Sequence, residues 1–149
     1  MPIEYIVTGD LLDMFEDGAF DAIAHGCNCM NTMGSGVAKQ IAMQYTRAKD
    51  ADNNTIRGDW NKLGNHSRAQ LPSGQRIYNL YTQYKYGRGK HVEYLAVAKC
   101  FDRLDACAYE TRVGIPKIGA GLGGGDWGII SKIIDENTPN LYIGLVVQE

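Results

Sequence analysis

A glycine loop near the end of the chain constrains the fold most. It reads Gly119-Ala120-Gly121-Leu122-Gly123-Gly124-Gly125-Asp126, five glycines in seven positions before the aspartate. A strand-like run, Arg112 to Ile118, precedes it, and a helix-like run from Trp127 to Ile134 follows. Strand, bare loop, helix brings backbone N–H groups close to a phosphate, where side chains would block the approach. A shorter version lies at Met33-Gly34-Ser35-Gly36-Val37, ahead of apolar residues at helical spacing, Val37, Ile41 and Tyr45. Two such loops at the carboxyl edge of one sheet can hold a diphosphate from both sides.

The late loop matches Gly-x-Gly-x-x-Gly formally, but its position excludes a dinucleotide-binding fold. That motif opens the first βαβ unit and wants an acidic residue about 20 positions on, at the end of the next strand. Here one helix and one strand, Leu141–Val147, are all that remain. No Gly-Lys-Ser/Thr follows, so it is no P-loop either.

The rest of the chain alternates strand and helix patterns. Strands are expected at residues 3–7, 20–26, 112–118 and 141–147. A hairpin is expected over 67–82 around Pro72-Ser73-Gly74, and helices over 36–45 and 91–109. The longest helix places Leu95, Ala98, Phe101, Leu104 and Ala108 on one face. Residues 47–65 read as a helical and irregular surface region. The whole predicts a layered α/β domain with a mostly parallel sheet. At 149 residues it is expected to be one domain, residues 1–149.

Charge and cysteines exclude several classes. A net charge of −2 gives no basic face for general nucleic-acid binding. The basic-aromatic stretch Tyr84–Lys90 is the one feature pointing that way, and it also suits a cover over a ligand pocket. No apolar run reaches the length of a membrane helix, and no signal-peptide pattern opens the chain, so a cytoplasmic location is the default. The spacing of Cys27, Cys29, Cys100 and Cys107 lacks the paired pattern of a zinc site, so no metal or cofactor is expected. Cys100 and Cys107 read as small core residues.

Single side chains at the expected sheet edge carry two readings each. Asp10, after Gly9 and before Leu11, is a helix cap or a carboxylate for a nucleoside amine. His25 is a structural histidine or a proton-transfer group. Asn28 suits a ribose hydroxyl. Asp126 caps a helix or orients a water.

The set Thr8-Gly9-Asp10, His25-Gly26-Cys27-Asn28-Cys29 with Gly34-Ser35-Gly36, and Pro116-Lys117-Ile118-Gly119 with Gly121-Leu122 resembles the macrodomains. It looks closest to the branch of the yeast-type ADP-ribose 1''-phosphate phosphatases and the terminal ADP-ribose protein glycohydrolase. The resemblance implies a three-layer α/β/α fold with a central mixed, mostly parallel sheet, and ADP-ribose or a derivative as partner. It puts Asp10 against the adenine amine, Gly34–Gly36 near the distal ribose and Gly119–Gly125 on the diphosphate, with His25 and Asp126 as acid/base candidates. It implies a phosphatase releasing phosphate from ADP-ribose 1''-phosphate. The alternatives are a non-catalytic ADP-ribose reader and a hydrolase of O-acetyl-ADP-ribose or ADP-ribosylated protein. Gln83 stands where the glycohydrolase pattern has a lysine, and Gly123 where it has an aspartate. That departure argues against removal of ADP-ribose from acidic side chains.

Overall fold

In the computed structural model, which describes residues 3–87, 89–121 and 123–148, six strands form one sheet. They are β1 Ile3–Thr8, β2 Ala22–Cys27, β3 His66–Gln70, β4 Arg76–Tyr81, β5 Arg112–Ile115 and β6 Tyr142–Val147. The order is β1-β6-β5-β2-β4-β3, and only the β3–β4 pair is antiparallel. Helices α1 Leu11–Glu16, α2 Gly36–Gln44 and α3 Thr46–Asn53 cover one face; α4 Tyr94–Cys107 and α5 Trp127–Asn137 cover the other. Leu122, expected in the ligand site, lies outside the described residues.

The layers follow from side-chain alternation along the central strands. On β2, Ile23 and Cys27 join the α1–α3 core, while Ala22 and Ala24 join the α4–α5 core. On β4, Ile77 and Tyr81 go one way and Tyr78 and Leu80 the other. A strand buried on both faces has no polar alternation to show, which is why β2 reads as a continuous small apolar run. Gly114 and Gly144 are register partners, and a Cβ on Gly114 would stand 2.5 Å from the Phe20 ring. The two glycines are the slot in which Phe20 lies flat on the sheet.

Three expectations change. Strand β5 stops at Ile115 rather than residue 118, because Pro116 has no N–H for the ladder. Helix α4 begins at Tyr94, not at His91, because Val92 is bridged to Gln83 and Glu93 N–H is taken by Thr82 O. Its buried face is then Ala96, Val97, Cys100, Phe101 and Leu104, while Leu95 is 69% exposed. Of the pair Cys100 and Cys107, Cys100 is a core residue and Cys107 is exposed.

Candidate functional site

Parallel strands end on one edge, so the loops after β1, β2, β5 and β6 must meet there. A groove runs along that edge as three adjoining cavities. The first, about 600 Å³, is lined by Gly9, Asp10, Leu11, Val37, Pro116, Ala120 and Gly125 together with Trp127. The largest, about 1040 Å³, is lined by Asn28, Met33, Gly34, Ser35 and Gly124 together with Tyr86 and Lys90. A neck of about 260 Å³ joins them, lined by Ser35, Gly36 and Val37 on one side and Ile118, Gly119 and Gly123 on the other. Gly121 lines all three. The two glycine loops therefore face each other across the neck.

Both loops leave N–H groups unused. Helix α2 opens on Gly36 at φ 59°, a backbone that needs glycine. The N-cap residue Ser35 makes no side-chain capping bond. Among the described residues, the N–H groups of Gly36, Val37 and Ala38 find no protein acceptor. Helices α1 and α5 differ, since Asp10 caps the first through Asp13 N–H and Asp126 caps the second through the N–H groups of Gly128 and Ile129. The one of these three helices that starts at the neck is thus the one left open to an outside anion. In the late loop, Gly125 N–H donates to Gly119 O at 2.7 Å and Gly124 N–H to Gly121 O at 3.1 Å, which folds the loop on itself. The N–H groups of Gly121 and Gly123 stay without a partner among the described residues.

The acid/base candidates fare differently from the loops. His25 is 1% exposed, and its Nε2–H donates to Asn79 Oδ1 at 2.7 Å. Asn79 in turn donates to Ala48 O and to Ser67 Oγ. The imidazole is thus tied through Asn79 toward α3, and its other polar neighbour is Cys27 Sγ at 3.8 Å. Burial pulls its pKa down to about 4, with Asn79 and Asp52 pulling weakly the other way. Asp126 is exposed, lines none of the three cavities, and spends its Oδ1 on the α5 cap. His25 is nonetheless among the residues that line the neck, with Nε2 committed to Asn79, whereas Asp126 stands outside all three cavities. Asn28 is also committed, donating to Thr32 Oγ1 at 2.8 Å and accepting from Met30 N–H at 2.8 Å. Burial pushes the Cys29 thiol up to about 11 and raises the Cys27 thiol well above its ordinary value, so neither offers a thiolate. Among the described residues no group of three His, Cys, Asp or Glu side chains could hold a metal ion, and no helix is long and apolar enough to cross a membrane.

The His25 environment has a pH consequence. Its folded pKa lies below the ordinary value of 6.5, so the unfolded chain binds the extra proton between pH 6.5 and 4. Stability is therefore complete above pH 6.5 and falls as pH drops toward 4, by on the order of 3 kcal/mol. His66 is also pulled down by burial and adds in the same direction. Denaturant unfolding at pH 7.5 and 4.5 checks this: His25→Gln loses much of the acid-dependent fall. A wild-type slope that His25→Gln leaves unchanged contradicts it.

Several lining residues were given no site role by the sequence. Lys117 follows the strand-ending proline and lines both the first cavity and the neck. Thr82 lines the neck at 1% exposure, and its Oγ1 has no hydrogen-bond partner among the described residues. Trp127, read only as the start of a helix, closes the first cavity. Gln83 donates from Nε2 to Lys85 O at 2.7 Å. A Cβ on Gly123 would stand 2.8 Å from Gly119 O and 3.0 Å from Gln83 Oε1, so this loop admits no aspartate there.

No family profile matches the sequence. The chain is 37% identical to the "Uncharacterized 17.5 kDa protein in tk-vs intergenic region" of Enterobacteria phage T4, over 98% of its own length and 96% of that protein. Its fold is similar to that of a Bacteroides thetaiotaomicron protein of unknown function, at TM-score 0.82, 22% identity and 99% of both chains. The macrodomain of Thermus aquaticus DarG matches at TM-score 0.72 and 22% identity over 97% of both. Thermosipho africanus DarTG, solved with ADP-ribose, matches at TM-score 0.75 and 13% identity, over 99% of this chain and 42% of that one. These likenesses show the macrodomain fold.

Proposed function

The chain belongs to the same family as the phage T4 protein and has the macrodomain fold, and on that footing we propose that it binds ADP-ribose along the groove. One observation carries the reading. The unsatisfied N–H groups of Gly36, Val37 and Ala38 stand across a neck from a second glycine loop, with a cavity on either side. A diphosphate in the neck satisfies those donors, a nucleoside fills the Asp10 side, and a ribose enters the larger cavity. The ADP-ribose held by the Thermosipho africanus neighbour supports the same choice of ligand.

Calorimetry with ADP-ribose tests this, and no binding at millimolar ligand overturns it. The two capping aspartates separate cap from contact. Asp10→Ala and Asp126→Ala are each expected to cost about 1 kcal/mol of stability through a lost helix cap. Asp10→Ala alone also weakens ADP-ribose, by about tenfold, because only Asp10 lines the groove. Equal affinity loss in both would break the placement of the adenosine half.

Hydrolysis of ADP-ribose 1''-phosphate is the second reading. The larger cavity favours it, since about 1040 Å³ leaves room for a phosphate beyond the ribose, near Ser35 and Lys90. Backbone N–H groups would then stabilise developing charge, as in other preorganised anion sites. In this reading His25, tied to Asn79 at the neck, and Asp126, spent on the α5 cap, are given no proton-transfer step. Phosphate release from this substrate, retained in His25→Gln, is the expected result. Absence of release leaves a binding module, and a panel with O-acetyl-ADP-ribose and ADP-ribosylated protein distinguishes the other hydrolases.

A further inference from the structure

The wall of the larger cavity hangs from two ammonium groups outside the groove, the buried one of Lys62 and the part-buried one of Lys49. Asn28 and Thr32 to Ser35 line that wall, and the chain between them turns at Asn31, φ 57°. The carbonyl of Asn31 accepts from Lys49 Nζ at 2.7 Å. Its side-chain Oδ1 accepts from Lys62 Nζ and from Thr55 Oγ1, and its Nδ2 donates to Thr55 O at 2.9 Å. Lys62 Nζ also donates to Cys29 O at 3.1 Å and lies 4.7 Å over the Tyr81 ring. Lys49 Nζ stands 3.6 Å from the Asp52 carboxylate, which is 1% exposed and accepts the Tyr81 hydroxyl at 2.7 Å.

The cations therefore reach the wall from two elements, Lys49 from α3 and Lys62 from the 3-10 turn Trp60–Lys62. An ammonium held at 7% exposure, as Lys62 is, is tolerated only when its donors are satisfied. Here those acceptors are the backbone of Cys29 and the side chain of Asn31, so desolvation locks the wall in one geometry. Asn31, Lys49, Asp52, Thr55 and Lys62 line none of the three cavities. Whatever they do for a ligand passes through the wall.

We infer that Lys62 and Asn31 are positioning residues for the distal half of the ligand. By fixing residues 28–35 against α3 and β4, they set the space that the ribose and any group attached to it enter. The inference rests on the ADP-ribose reading of the groove. It separates the site into two halves with different supports: the adenosine half rests on the Gly9–Asp10 turn after β1, on α1 and on β6, whose residues line the first cavity.

The experiment compares ADP-ribose with AMP, which lacks the distal half. The variants are Lys62→Met, which removes the ammonium, and Asn31→Gly, which keeps the left-handed backbone and removes the side-chain ties. Both are expected to weaken ADP-ribose by about tenfold, the equivalent of one misplaced hydrogen bond, with AMP affinity within about twofold of wild type. Circular dichroism and melting temperature establish that each variant is folded; should Lys62→Met not fold, Asn31→Gly decides. Equal loss for both ligands, or no loss for either, overturns the inference and leaves the binding reading standing. Failure of the wild-type chain to bind ADP-ribose at all removes both.

Discussion

A Ser35→Asp protein is expected to be more stable than wild type and to bind ADP-ribose about a hundredfold more weakly. Ser35 occupies the N-cap of α2 without capping it, whereas Asp10 and Asp126 show what a carboxylate does at the same place on α1 and α5. An aspartate at residue 35 satisfies the N–H groups now unpaired and meets the positive end of the helix. That gains about 1 kcal/mol. The same carboxylate then stands where the diphosphate belongs. Two unit charges about 4 Å apart near a protein surface repel by about 4 kcal/mol, and about 2.7 kcal/mol is already a hundredfold. Ser35→Asn serves as the uncharged comparison: it caps the helix and costs less affinity. Thermal unfolding and calorimetry read the two effects separately. A stabilised variant with unchanged affinity contradicts an anion site at α2.

The second large effect is expected at Gly121. A Cβ built there meets nothing within 4 Å, and its φ lies outside the left-handed region, so Gly121→Val leaves the fold within about 0.5 kcal/mol of wild type. Yet Gly121 lines the first cavity, the neck and the larger cavity together. An isopropyl group there fills space the ligand must cross, and affinity is expected to fall about a hundredfold. Gly125→Ala is the mirror case. Its methyl would stand 2.6 Å from Val92 Cγ1, 2.8 Å from Ile130 Cδ1 and 2.9 Å from Gly119 O. Overpacking of this kind costs about 1–3 kcal/mol of stability. Chemical denaturation and ligand titration on the pair decide whether the loop's glycines divide this way. Normal binding by Gly121→Val contradicts a ligand passing the neck.

The glycines of the late loop thus have two separate causes, and only one was legible in the sequence. Their number and their place between strand and helix pointed to close backbone approach, a reading that Gly121, bare and lining all three cavities, still supports. The bare backbone at Gly119, Gly123 and Gly125 has an internal cause, since the loop folds on itself and against Val92. That contact comes from a segment some 30 residues earlier and leaves no local mark. The pairing of the two loops was legible because a parallel sheet gathers its carboxyl ends on one edge.

His25 was placed on the right strand, but its role depends on which face it takes. It alternates with Ile23 and Cys27 toward α3, where Asn79 of β4 meets it. Which layer supplies a polar partner is a tertiary fact, absent from a six-residue strand. Asp10 and Asp126 each precede a helix, so the capping role was legible at both; only the cavity lining separates them. Gln83 and Gly123 stood out as departures by themselves. What the packing adds is the reason: the Gly119 carbonyl and the Gln83 amide fill the space an aspartate would need.

The most direct test of the central claim is a crystal structure of the chain with ADP-ribose. Diphosphate oxygens are expected within about 2.7–3.2 Å of N–H groups in the Gly36–Ala38 turn and in the late loop. The adenine should lie on the Asp10 side and the distal ribose in the cavity walled by residues 28–35. A diphosphate bound away from both sets of N–H groups, or an adenine lodged in the larger cavity, would contradict the account.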